Sequence, residues 1–146
     1  MGNRAVITFT EPGQTGVGAY IHWNGGRASV RAFLHVCWAR GYRSPDNDPS
    51  YAMAGLVGVL REFFGPEGLS VGVDVLDRLP CDNFDNGVYQ VGPDWKIVGS
   101  WGEGSAGLEY TNGKLYGLEL EQYEGIVAQL VDNHLAACAV LDARRA

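Results

Sequence analysis

A chain of 146 residues has the size of one ordinary domain, and with 46% hydrophobic and 11% aromatic residues it can bury a core without help from a metal or disulfide. Its 17 acids against 11 Lys and Arg give a formal charge of -6, which repels a phosphate backbone and speaks against nonspecific nucleic-acid binding. Three cysteines, Cys37, Cys81 and Cys138, with no CxxC spacing speak against a disulfide framework or a structural zinc site and fit a reduced, cytoplasmic protein.

The alternation of Ala5 to Thr10 and of Val17 to Trp23, separated by the Pro- and Gly-containing stretch Glu11 to Gly16, predicts an opening hairpin. In its second strand Val17, Ala19, Ile21 and Trp23 share one face, and Tyr20 and His22 the other. Beyond Asn24-Gly25-Gly26, the helical spacing of Val30, Phe33, Leu34, Cys37 and Trp38 predicts a first helix that stops at Gly41. Asp48 as N-cap and Pro49 in the first helical position open a second helix. Its stripe of Met53, Leu56, Val57, Leu60, Phe63 and Phe64 ends at Gly65-Pro66.

Period-two patterning from Leu69 to Leu76 predicts a third strand with Val71, Val73 and Val75 inward. Val88 to Val91 and Trp95 to Val98, joined by Gly92-Pro93-Asp94, predict a hairpin; Leu108 to Thr111 and Lys114 to Leu118, joined by Asn112-Gly113, predict another. A final helix from about Glu121 to Ala143 lines up Tyr123, Ile126, Val127, Leu130, His134, Ala137, Cys138 and Leu141, with acids early and Arg144-Arg145 late, as a helix dipole favours. The whole reads as a single α+β domain, residues 1–146: a mainly antiparallel sheet of hairpins with two inserted helices and a long C-terminal helix on one face. No apolar leader and no run of about 18 apolar residues stand out, so neither secretion nor membrane insertion is expected.

Three places could carry chemistry. At His22-Trp23-Asn24-Gly25-Gly26-Arg27 a strand ends in two glycines before a helix, so free backbone N–H groups with Arg27 and Arg31 suit a small anion. Against this, two glycines also serve a plain turn, and neither a phosphate loop nor a GxGxxG motif is present. The second place is Cys81-Asp82-Asn83-Phe84-Asp85-Asn86-Gly87. Set against a calcium loop it fails at two ligand positions, Phe84 and Pro93, so Asx turns closed by Asn86-Gly87 explain it better than a metal does. The third is the glycine-rich stretch Gly99 to Gly107, flanked by Trp95 and Tyr110, where Trp101 suits either a partner contact or a plug at the edge of the core. His134 and Cys138 stand four apart on one helical face, where burial explains the histidine better than catalysis.

The opening Met1-Gly2-Asn3-Arg4-Ala5-Val6-Ile7-Thr8-Phe9, the segment Tyr20-Ile21-His22-Trp23-Asn24-Gly25-Gly26, and Asp82 to Val91 followed by Trp95-Lys96-Ile97-Val98-Gly99 carry a resemblance. In these residues, from Met1 to about Gly99, the chain resembles a family of small uncharacterised proteins from bacteria and their phages. The resemblance implies no activity and no catalytic residue. A phage or prophage origin would favour a protein that binds and modulates a host protein.

The expectation is therefore a non-enzymatic binding protein with no cofactor and no bound metal, whose partner is a protein and whose candidate contacts are His22, Asn24, Gly25, Gly26, Arg27, Arg31, Asp82, Asp85 and Trp101. The same aromatic loops suit a homodimer contact. Two competing readings have distinct requirements. An acidic mimic of nucleic acid, directed at a host nuclease or defence complex, needs its carboxylates in one continuous patch. A small hydrolase or metal-assisted enzyme needs His22, Asp82 and Asp85 to converge.

Overall fold

The computed structural model describes residues 2–65, 70–102 and 113–145. Five strands, β1 (Ala5–Thr8), β2 (Val17–Ile21), β3 (Val71–Val75), β4 (Val88–Val91) and β5 (Ile97–Trp101), form one sheet in the order β3-β2-β1-β4-β5. Three pairings are antiparallel, and β1 with β4, at the centre, is parallel. The parallel pair arises because the chain leaves the opening hairpin for α1 (Arg27–Ala39) and α2 (Pro49–Phe64), adds β3 to the outer side of β2, and only then crosses to the far side of β1. The expected α+β architecture is what forms, with the third helix, α3 (Leu118–Arg145), closing the described chain.

The helical starts and stops follow local chemistry. Asp48 accepts a hydrogen bond from the backbone N–H of Tyr51, and Pro49 occupies the first turn of α2, where its missing N–H costs nothing. Gly41, at φ 73°, donates its N–H to the carbonyl of Trp38 and ends α1.

One face of the sheet carries the main core. Ala5, Ile7, Ala19 and Ile21 meet Phe33, Val36, Leu56 and Leu60 of the first two helices, and Ile126 and Leu130 of α3 close the cluster from outside. Phe33 is fully buried, worth about 1.5–3 kcal/mol for a side chain of its class. Arg40, its side chain nearly buried, ties three helices together by donating to Glu62 at 2.5 Å and to the backbone carbonyl of Leu130 at 3.0 Å.

Several expectations shift. Val73 and Val75 stay 49% and 39% exposed, because β3 is an edge strand lying beyond the cover that α2 gives to Val71. Trp23 and Val17 are likewise half out in water rather than inward. Trp95 is not in a strand: it sits with Asp94 in a 3-10 turn, both in the left-handed region, and is buried against Phe9 with its indole N–H donated to the carbonyl of Tyr42. Trp101, within the glycine-rich stretch Gly99 to Gly107, belongs to β5.

Lys114 to Leu118 is not a strand. Residues 113–116 are irregular, Gly117 turns at φ 59°, and Leu118 already begins α3, while the carbonyls of Gly113 and Lys114 accept from Arg31 and Arg27 instead of a ladder. The proposed partner strand Leu108 to Thr111, with Tyr110 and Asn112, lies outside the described residues.

The final helix departs most from expectation. Ile126 and Leu130 are its buried residues, and from Val131 onward the described residues give it little cover, so His134 and Cys138 are only half-buried and Leu141 is 51% exposed. An 18-residue window of this helix has a mean hydropathy of 1.3, enough by length and composition to cross a membrane, yet only 11% of that window is buried. No unbroken run of 18 apolar residues is present, since Gln129, Asp132, Asn133 and His134 interrupt it, so the hydropathy shows only as an average.

Candidate binding face

The sheet face opposite the helices has its own small core, Val6, Val88 and Leu76, with Tyr20, Leu79, Cys81 and Trp101 around it. Gly18 makes room here: a Cβ on it would stand 3.0–3.1 Å from methyl carbons of Leu76, Val6 and Leu79. The chain from Leu76 to Gly87 crosses this face, opening with the 3-10 turn Leu76–Arg78.

Asn83 sets the shape of that crossing. It is 2% exposed, and its amide donates to the carbonyls of Pro80 (3.0 Å) and Gly87 (3.1 Å) while its oxygen accepts from the N–H groups of Asp85 (3.1 Å) and Gly87 (2.9 Å). All four bonds available to an asparagine side chain are made within the loop. Phe84, trapped between these anchor points, takes φ 61° and projects outward, 69% exposed.

The loop is then tied to the first residues of the chain. Asp85 accepts from the backbone N–H of Arg4 (3.0 Å) and from its Nε (2.7 Å), and Asn86 donates to the side chain of Asn3 and the carbonyl of Arg4. Hydrogen bonding to Arg4 holds the Asp85 carboxyl below its usual range, with the charges of Arg4 and His22 adding to the effect; Asp85 in turn raises the Arg4 guanidinium. The Tyr20 hydroxyl meets Nδ1 of His22 at 2.8 Å, and burial pushes that phenol up despite nearby Arg4. Trp23 packs edge-on against His22 and is 48% exposed.

The expected residues thus fall into three groups. His22 and Asp85 come into electrostatic reach of each other around Arg4. Asp82 and Trp101 line a separate open cleft of about 580 Å³ with Asp77, Cys81, Gln14 and Thr15, so the convergence of His22, Asp82 and Asp85 that a hydrolytic site needs is only partial. Arg27 and Arg31 point elsewhere, bonding the 113–119 segment: Arg27 donates to Glu119 at 3.2 Å and to the Lys114 carbonyl, and Arg31 to the Gly113 carbonyl.

The glycines between them serve close packing. The N–H of Gly25 donates to the carbonyl of Asn3 at 2.8 Å, and a Cβ on Gly25 would sit 2.5 Å from that oxygen. Asn24, at φ 57°, turns the chain and donates to buried Ser29 at 3.3 Å, while Gly26 caps α1.

Arg4, Asn83 and Phe84 were not singled out by the sequence reading. The signal for Phe84 was a lone aromatic in a run of Asp and Asn residues, a place where burial is not on offer. Arg4 had no local signal, since its partner lies 81 residues away.

Two further depressions lie on other faces. An apolar groove of about 780 Å³ runs between α2 and the β2–β3 edge, lined by Met53, Val57, Val17 and Val73. A cleft of about 470 Å³ between α1, the Asp94–Lys96 turn and α3 holds Arg31, His35, Trp38 and Tyr123, and there burial, with the charge of Lys96, lowers the His35 imidazole. Among the described residues no group of three or more His, Cys, Asp or Glu is placed to hold a metal ion.

These features define a two-faced α+β domain: helices cover one side of the sheet, and a hydrogen-bonded loop presents aromatic side chains on the other. Comparison with protein-family models, with curated proteins and with solved structures gives no match.

Proposed function

We propose that this chain is a non-enzymatic binding protein that engages a partner protein through the loop face carrying Phe84, in keeping with a cytoplasmic phage- or prophage-encoded modulator of a host protein. The observation that carries this reading is the contrast at Asn83 and Phe84. A buried, fully bonded asparagine fixes the loop, and the next residue is held in a conformation that costs an L-residue about 1–2 kcal/mol while its ring stands in water. An aromatic fixed in advance loses little freedom on binding, which is what an interface anchor requires. Trp23 and Arg4 flank the same N-terminal region and belong to the residue types that dominate interface energetics.

The competing readings draw less support. Asp85 is committed to Arg4 and held at low pKa, which makes it a weak general base. Asp48, Glu62, Asp85 and Glu119 pair with four different arginines on different elements, which takes them out of any continuous acidic patch.

A photo-crosslinking residue at position 84, used in a lysate of the bacterial host, tests the proposal. The expected result is one dominant adduct that unlabelled wild type competes away and Phe84→Gly does not. If wild type does not compete, and the purified chain hydrolyses a substrate in a His22-dependent manner, the enzymatic reading replaces this one.

A further inference from the structure

We infer that two copies of this chain pair through α3 as an antiparallel, two-fold helix dimer. The inference uses a different surface from the Phe84 loop and stands without it.

The starting point is a helix that water does not suit. Past Leu130 little of the described chain lies beneath the helix, and Val131 is 38%, Leu135 61%, Val140 52% and Leu141 51% exposed. Isolated helices of about 12–15 residues are marginal in water, so a protruding segment of this kind needs a covering surface. Beyond the domain Val131, His134, Cys138 and Leu141 recur at spacings of three, four and three, the seam of a helix that packs along another helix, in line with Val127 at the edge of the domain's own core.

The sequence of the helix specifies what the other helix is. His134 is the midpoint of the apolar stretch Val127 to Leu141, and it is also the midpoint between Glu124 and Arg144. A helix whose apolar stretch and oppositely charged flanks share one centre is complementary to itself when reversed about that centre. Each apolar stretch then faces its copy, and Arg144-Arg145 of each helix lies by Glu121 and Glu124 of the other, with Asp142 beside the arginines offsetting one of their two charges. Such a contact is isologous and closes at two. In parallel pairing the arginines would face arginines and the acids acids, while reversal also opposes the helix dipoles favourably. Each domain, packed on the first half of its own α3, ends up at an opposite end of the pair, which separates two bodies that each carry a charge of -6.

A bilayer is the other cover such a helix could have. The whole helix is long enough to span one, but Asp132, Asn133 and His134 would then lie together near the middle of the hydrocarbon, where polar and charged side chains are costly.

Sedimentation equilibrium of the full chain at micromolar concentrations tests the inference. A dimer is expected, and Val131→Glu with Leu141→Glu, both exposed seam positions, should leave a monomer whose domain stays folded but whose melting temperature is lower than that of wild type and no longer depends on protein concentration. Two charge variants fix the direction. Glu121→Lys with Glu124→Lys, and Arg144→Glu with Arg145→Glu, should each self-associate at least about tenfold more weakly than wild type, and an equimolar mixture of the two should recover wild-type association. A wild-type monomer at all concentrations, an assembly larger than two, charge variants that self-associate as tightly as wild type, or a monomer that co-sediments with phosphatidylglycerol vesicles would each overturn it.

Discussion

Asn83 and Phe84 are adjacent in the chain and opposite in environment: the asparagine is 2% exposed with every polar group of its side chain bonded, and the phenylalanine is 69% exposed at φ 61°. Folding alone would favour a glycine at the second position, which has no Cβ to strain. Phe84→Gly is therefore expected to raise stability, by about 1 kcal/mol, as read by urea denaturation. A loss of stability would show that the ring packs against the domain and is not held out for a partner.

Asn83→Ala should act in the opposite direction. It removes the oxygen that accepts two bonds and the amide that donates two, leaving the Gly87 N–H without its side-chain acceptor and the Gly87 carbonyl with only the Val6 N–H. The expected cost is about 2–3 kcal/mol in chemical denaturation, with faster hydrogen exchange confined to the 80–87 segment. Asn83→Asp keeps the two accepted bonds but sets a buried carboxylate oxygen against the carbonyls of Pro80 and Gly87, and should cost at least as much as the alanine variant at neutral pH and less as acid protonates it.

The pairing of Asp85 with Arg4 carries a pH signature. The folded carboxyl titrates below its ordinary value of 3.8, first because Arg4 donates to it from the side chain and then because the Arg4 N–H does so as well. A depressed carboxyl stabilises the fold at pH values above its unfolded pKa, and that contribution disappears as pH falls through the folded pKa. Asp85→Asn should lower the melting temperature at neutral pH and show a shallower decline on acidification than wild type. Curves that run parallel down to the acid transition would mean that the pair adds nothing to stability.

Much of the fold was legible in local patterns, because its signals are local. Asp48-Pro49 opens α2, Gly41 and Gly65 close the first two helices, and alternation marks β1, β2 and β4. What could not be read depended on partners far along the chain. Val73 looks inward by period two, and only the sheet order shows that β3 is an edge strand that α2 covers at Val71 and leaves open at Val73. Trp95 looks like the first residue of a strand, but burial beneath Phe9 and a hydrogen bond to Tyr42 hold it in a left-handed turn. The α3 stripe is continuous in sequence, yet the domain is wide enough to cover it only as far as Leu130. At the candidate site, the loop rich in Asp and Asn was visible as a turn. The Arg4 bond that fixes its far end joins residues 81 positions apart and has no sequence signature.

The thiols should separate by environment. Cys37 is fully buried in the main core, and burial drives its thiol well above the ordinary cysteine range. Cys81 is raised more moderately, by burial first and then by Asp82 and Asp77. Since the thiolate is the reacting species, iodoacetamide at neutral pH should leave Cys37 unmodified until the chain unfolds, and mass spectrometry across a urea series should show its labelling tracking global unfolding. Labelling of Cys37 ahead of the unfolding transition would reveal a local opening of α1.

Gly25 and Gly26 distinguish an anion-binding turn from a close-packed one. If their backbone cradled an anion, side chains at both would obstruct it. In the fold, a Cβ on Gly25 would stand 2.5 Å from the Asn3 carbonyl oxygen and 2.7 Å from the Arg4 carbonyl carbon, both backbone atoms that cannot move without disturbing β1. A Cβ on Gly26, by contrast, meets only the Asn3 side-chain amide at 3.7 Å, and its φ of -68° suits any residue. Gly25→Ala is therefore expected to cost about 2–3 kcal/mol, in the range of overpacking, and to loosen the Arg4–Asp85 bond beside it. Gly26→Ala should stay within about 0.5 kcal/mol of wild type, since lost chain entropy in the unfolded state offsets a slightly poorer helix cap. Thermal melts of the two variants with and without 10 mM phosphate, a concentration of order many times a typical site's Kd, separate the readings. Packing predicts a large shift for Gly25→Ala alone and no phosphate dependence in wild type, whereas phosphate stabilisation abolished by both substitutions would restore the anion site.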